Sequence, residues 1–116
     1  MEDENKIYTT KELKEIFTNI CKNIEEIDKV ILFGSYAKNK ANENSDINIY
    51  VLCNDTVDIN NNKTTFKIKS KIKLAFDSFK SIDIIISNKE VFNKMKEFSF
   101  NIDYYVLKEG TTIFER

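Results

Sequence analysis

The sequence predicts an α/β (α+β) domain, a short mixed sheet carrying helices mainly on one face. Three observations lead there. Apolar runs of strand length, at residues 30–33, 46–52 and 82–87, are spaced well apart along the chain. Around them lie stretches whose apolar residues recur at the 3.6-residue helical period. With 116 residues, 41% hydrophobic and 32% charged, the chain has the make-up of one globular domain, 1–116, with a modest core.

The first helix is expected over residues 9–27. Thr9 or Thr10 can cap it with Glu12 close by, and Leu13, Ile16, Phe17, Ile20, Cys21, Ile24 and Ile27 form one apolar stripe. Lys11, Lys14, Glu15, Lys22, Asn23 and Glu25 fill the solvated face, so this helix backs the sheet. The first strand, Val30-Ile31-Leu32-Phe33, ends on Gly34, a residue type that admits positive φ and close backbone approach. Ser35 is a natural N-cap for a helical turn over Tyr36 to Lys40. After the strand at 46–52, Cys53 to Lys63 holds three consecutive Asn and no apolar period. It reads as a mobile connection in which Asp55 and Asp58 are solvated.

Thr64 or Thr65 then opens a second helix to about Phe79, burying Ile68, Ile72, Ala75, Phe76 and Phe79. Lys67, Lys69, Lys71 and Lys73 spread around its wet arc. Behind the strand at 82–87, Lys89 to Leu107 supplies one or two helices, with Ser99-Phe100-Asn101 as the break. Phe98, Phe100, Tyr104 and Tyr105 are more aromatic surface than so short an element can bury, which points to a partner or dimer surface. Gly110 turns the chain into a last edge strand, Thr111 to Phe114.

Composition excludes several classes. The net charge is −1 with acids and bases interspersed, so there is no strong nucleic-acid signal. The absence of histidine removes histidine-based general-base, phosphohistidine and zinc chemistries. Cys21 and Cys53 are far apart and read as reduced, buried thiols of a cytosolic protein. No apolar stretch approaches the length of a membrane span, so no membrane partner and a cytoplasmic location are expected.

The chemistry-bearing residues crowd around Gly34. A strand that ends in Gly-Ser before a helical turn offers free N–H groups and a hydroxyl, where a phosphate can bind. Side chains alternate along the next strand, so Asp46 and Asn48 share one face while Ile47, Ile49 and Val51 share the other. Asp83 is a lone carboxylate in an otherwise apolar strand, costly to bury unless paired or metal-bound. It is either an edge-strand Asp facing water or a neighbour of Asp46 and Asn48.

Gly34-Ser35-Tyr36-Ala37-Lys38 followed by Ser45-Asp46-Ile47-Asn48-Ile49 resembles the signature of the nucleotidyltransferase superfamily related to DNA polymerase β. That signature is Gly-Ser, an Ala two residues later, a basic residue, then Ser-Asp-hydrophobic-Asp-hydrophobic. A chain this short resembles its minimal nucleotidyltransferase (MNT) branch, whose members are often antitoxins of HEPN/MNT toxin–antitoxin modules. Ile82-Asp83-Ile84 and the ending from Glu109 to Arg116 fit the likeness too. The resemblance implies a polymerase β-like nucleotidyltransferase fold. It also implies transfer of a nucleoside monophosphate, AMP from MgATP first among them, to a protein partner such as a cognate HEPN-type toxin. A homo-oligomer is a further expectation. Carried over residue by residue, Gly34, Ser35, Lys38 and Ser45 would bind nucleotide. Asp46, Asn48 and Asp83 would be the catalytic and Mg²⁺-binding positions, with Asp83 beside the attacking group.

Two positions depart from the pattern. Asn39 stands where the family has Gly, and Asn tolerates left-handed backbone better than most residues. Asn48 stands where the family has its second carboxylate. Its carbonyl oxygen can touch a metal, but one negative charge is gone from a site that must hold two dications. Three alternatives follow: an enzyme weakened at Asn48, a catalytically silent antitoxin or binding module that masks its partner, and an unrelated α/β domain with a chance motif.

Overall fold

The computed structural model describes residues 7–76, 80–98 and 100–116. Among them the elements run α1 (Thr10–Cys21), β1 (Ile27–Phe33), β2 (Ile47–Cys53), α2 (Asn62–Lys73), β3 (Ile82–Asn88), α3 (Lys89–Met95), α4 (Ile102–Glu109) and β4 (Thr111–Glu115). The strands form one sheet in the order β3-β2-β1-β4. β1 is antiparallel to β2 and β4, while β2 is parallel to β3, so the sheet is mixed, as the sequence predicts.

Period-two alternation divides the apolar residues between two layers. Val30, Leu32, Ile47, Ile49, Val51, Ile82 and Ile84 face α1 and α2 and make the larger core with Leu13, Phe17, Cys21, Ile68 and Ile72. Each such side chain contributes about 1.5–3 kcal/mol relative to leaving it in water. On the opposite face Ile31, Tyr50 and Leu52 meet Phe92 of α3 and Val106 of α4 in a smaller cluster. The two longest helices therefore share one face and the two shortest share the other. Cys21 and Cys53 are buried, free thiols. Burial pushes Cys21 up to about 11 and, with Glu26 and Asp28 nearby, Cys53 up to about 12.

The helix ends differ from the sequence expectation, and each difference has a cause. α1 starts with the expected capping box. Thr9 Oγ1 accepts from the Glu12 N–H, and Glu12 Oε1 accepts from the Thr9 N–H, both at 3.0 Å. It stops at Cys21, not near residue 27, and Ile27 opens β1 instead. Ile24 and Ile27 keep helical spacing and are buried, but from a turn and a strand. The turn from α1 into β1 is tied by Arg116, whose guanidinium donates to Cys21 O at 2.8 Å, Ile24 O at 3.1 Å and Ile27 O at 2.9 Å. Arg116→Ala is expected to lower stability by about 1–2 kcal/mol, read as a shifted urea midpoint. An unmoved midpoint would mean that water replaces the guanidinium without loss.

The Asn-rich connection is pinned at several points. Asn61 caps α2 by accepting from the Lys63 and Thr64 N–H groups, at 3.0 and 3.3 Å, so the helix opens at Asn62, two residues early. Asn54 and Asp58 each close a local turn through their side-chain oxygens. Asp55, expected to be merely solvated, accepts from the Glu90 N–H in the first turn of α3 at 3.0 Å. α2 ends at Lys73, and Ala75 is exposed. The expected helix end at Phe79, and that side chain, lie outside the described residues, as does Ser99 of the break between α3 and α4. Among the described residues no helix is long and apolar enough to cross a membrane.

Candidate functional site

The site begins where β1 runs out. Gly34 has φ +76°, and Asn39 has φ +57°, the left-handed conformation its residue type allows. Between them the chain makes one turn. Lys38 N–H donates to the carbonyls of Gly34 and Ser35, and Lys40 N–H reaches back to Ser35 O at 2.9 Å. A bond spanning six residues across a left-handed residue is how helices are terminated. The helix expected over Tyr36 to Lys40 is thus a single closed turn, because Asn39 stops it before it can propagate. Among the described residues the N–H groups of Ser35, Tyr36 and Ala37 find no backbone acceptor. Consecutive free N–H groups in a tight turn favour an anion. The Tyr36 side chain is buried and roots the turn in the larger core, with the Lys80 ammonium 5.3 Å from its ring centroid.

β2 brings the polar residues to this turn. Its Asn48 is paired with Phe33 of β1 on one side and Asp83 of β3 on the other. Paired residues on neighbouring strands point to the same face, so Asn48 and Asp83 lie together. That face is the one α1 does not cover, since Ile47, Ile49, Ile82 and Ile84 all point into the α1–α2 core. Asp46 is exposed and lies two residues before Asn48, at the mouth of the strand, where Ile47 N–H bonds Ser81 O at 3.0 Å. Asp83 is exposed on an edge strand. The Asn48 amide rests on the bare α-carbon of Gly34: a Cβ built there would sit 2.8 Å from Asn48 Nδ2.

Lys38 and Ser45 are occupied locally. Lys38 Nζ is 3.4 Å from Glu109 Oε2 on α4, an exposed pair of little intrinsic strength that a phosphate could displace. Ser45 Oγ accepts from the Asn42 N–H at 2.9 Å and holds the turn that leads into Asp46. Sequence reasoning missed a buried tie on the same sheet face as Asn48. The Tyr50 hydroxyl donates to the Asp103 carboxylate, a buried bond joining α4 to the strand that carries Asn48. Burial first, and that carboxylate second, hold the Tyr50 phenol well above its ordinary range. A lone Asp among the apolar residues of a short helix was the only signal, and it points nowhere without the fold.

Among the described residues no three His, Cys, Asp or Glu side chains group as metal ligands. Asp46, just before β2, and Asp83, paired with Asn48 across β2 and β3, are two carboxylates, and one Mg²⁺ takes one or two carboxylates together with phosphate oxygens. With Asn48 in place of a third carboxylate, less negative charge is left for a second ion.

A mixed four-stranded sheet with an anion-ready Gly-Ser turn, a carboxylate leading into β2 and another on neighbouring β3 is the architecture of a nucleotidyltransferase. The family described as "Polymerase beta, Nucleotidyltransferase" matches residues 11–116, and the chain belongs to it. Two Methanocaldococcus jannaschii proteins are similar in sequence, each named "Putative protein adenylyltransferase". With MJ0141 the chain is 34% identical over 67 residues, 58% of this chain and 66% of that protein, just under two-thirds of its length. With MJ0604 it is 34% identical over 88 residues, 76% of this chain and 79% of that protein. Among solved structures, one described as "Crystal structure of the toxin-antitoxin with AMP-PNP" superposes with a TM-score of 0.58 at 22% identity, covering 89% of this chain and 73% of that one. At that identity the superposition speaks to the fold.

Proposed function

We propose that this protein works in the cytoplasm, where it binds a nucleoside triphosphate, ATP foremost, and transfers AMP to a protein partner such as a cognate HEPN-type toxin. The observation that carries the reading is the pairing of Asn48 with Asp83 beside the Gly34-Ser35 turn. The names of the two archaeal relatives and the nucleotide in the superposed complex support it. In this reading the N–H groups that follow Gly34 and the Ser35 hydroxyl hold the β- and γ-phosphates, and Lys38 leaves Glu109 to approach them. Ser45 shapes the approach to Asp46. Asp46 and Asp83 would hold Mg²⁺, which would offset the charge of the triphosphate. Asp83 lies nearest the acceptor group and takes its proton as that group attacks the α-phosphorus and pyrophosphate leaves.

Phe98 and Phe100, with ring centroids 5.7 Å apart, and the exposed Ile102, Tyr105 and Leu107 offer the partner, or a second copy of the chain, an apolar surface. Phe100 is 83% exposed, far more than a core residue would be.

Asn48 favours a second reading, a binding module that keeps the nucleotide site but acts by covering its partner. Calorimetry tests what both share. Weak MgATP binding that needs a divalent ion is expected, reduced at least about tenfold by Ser35→Ala or Asp46→Ala. Binding unmoved by both changes would put the nucleotide elsewhere.

A further inference from the structure

Asn48 is better placed to hold a phosphate than a second ion. Its amide is half-buried at the centre of the site, seated on the α-carbon of Gly34 and paired in register with Asp83. Among the described residues that amide has no hydrogen-bond partner. A carboxylate at this position could only accept hydrogen bonds, whereas an amide has two N–H donors as well as a carbonyl. The N–H groups of Ser35, Tyr36 and Ala37, which follow Gly34, have no backbone acceptor and suit an anion. An amide N–H against Gly34 would add a donor to that set. Removing a carboxylate from between Asp46 and Asp83 also withdraws a hard, charged ligand that two dications would share. Both changes act in the same direction, toward direct phosphate recognition and away from a second metal.

We propose that the Asn48 side chain donates a hydrogen bond to the bound triphosphate, and that this site takes one divalent cation per nucleotide instead of two. The inference rests on the nucleotide reading above and assigns Asn48 a role which that reading leaves open. The Asn48 amide meets the phosphate directly, so the triphosphate keeps more of its charge and relies on protein donors to hold it.

The test counts ions and does not depend on turnover. The full chain is saturated with AMP-PNP and titrated with Mn²⁺, free Mn²⁺ being read by its electron paramagnetic resonance signal. One bound Mn²⁺ per complex is expected for the chain as it stands, and two for Asn48→Asp. In parallel, Asn48→Ala is expected to weaken AMP-PNP binding by about tenfold or more while the count stays at one, because a hydrogen bond to a charged group is lost. This side chain is half-exposed and not in either core, so the alanine variant should fold; an unchanged urea midpoint verifies that. Two ions on the unaltered chain, or full affinity in Asn48→Ala, would overturn the proposal and leave the nucleotide site standing. No AMP-PNP binding by the unaltered chain or by Asn48→Asp would overturn both.

Discussion

Asn48→Asp is expected to transfer labelled AMP to a cognate protein partner at least tens of times faster than the chain as it stands. The replacement keeps the size of the side chain and adds only the charge that the donor set lacks. It does so at the best-connected position of the site, between Phe33 of β1 and Asp83 of β3 and against Gly34. With Asp46 and Asp83 that makes three carboxylates for two dications to share. A gain on the order of tens-fold corresponds to ~2 kcal/mol off the barrier, modest for a full charge restored beside a reacting phosphate. Asp46→Ala in the same background should remove the gain, because it takes away one of the two carboxylates present at the start. The assay is incorporation of label from ATP into the partner at fixed Mg²⁺. Equal rates for both forms, well above background, would show that Asn48 already suffices. No incorporation by either form, with the partner still bound tightly, would favour the masking role.

Gly110→Ala is expected to cost about 3 kcal/mol of stability, at the high end for one added methyl group. The cause is space and not backbone conformation, since Gly110 has an ordinary φ of −75°. A Cβ there would stand 2.4 Å from Ile31 Cγ2, 2.4 Å from Val106 O and 3.2 Å from Leu32 O. Two of those atoms are backbone, in α4 and β1, and cannot rotate away. Relief requires α4 to lift off the sheet, straining the Tyr50–Asp103 bond and the contact of Val106 with Ile31 and Tyr50. For a domain near this size the loss lowers the melting temperature by about 10–20 °C. Thermal and urea unfolding would both register it. A loss below about 1 kcal/mol would mean that α4 shifts freely on the sheet.

Much of the site is legible in the chain because its signals are local. Gly34 at the end of an apolar run announces the positive φ it adopts, and Asn39 is left-handed where the family pattern carries Gly. Alternation along 46–52 separates Asn48 from the buried isoleucines, because neighbouring side chains on a strand cannot share a face. The capping box at Thr9 and Glu12 is likewise complete within four residues. These features need no partner from elsewhere in the chain, so composition and spacing carry them in full.

What the sequence leaves open is settled by groups distant along the chain. Helical spacing continues through Ile24 and Ile27, and nothing local says that α1 ends at Cys21; Arg116 ties the turn that follows by donating to carbonyls 89 to 95 positions away. The parallel register that sets Asp83 against Asn48 joins strands separated by α2, and a shift of one residue would have turned Asp83 to the other face. Asp103 becomes a buried tie only where α4 meets Tyr50, 53 residues back. Gly110 looks like a turn residue, yet it is required because Ile31 and Val106 leave no room for a Cβ. By itself the chain determined which residues can turn, pair or carry charge. The tertiary structure decided which of them meet, because close packing between distant segments leaves no periodic trace in either one.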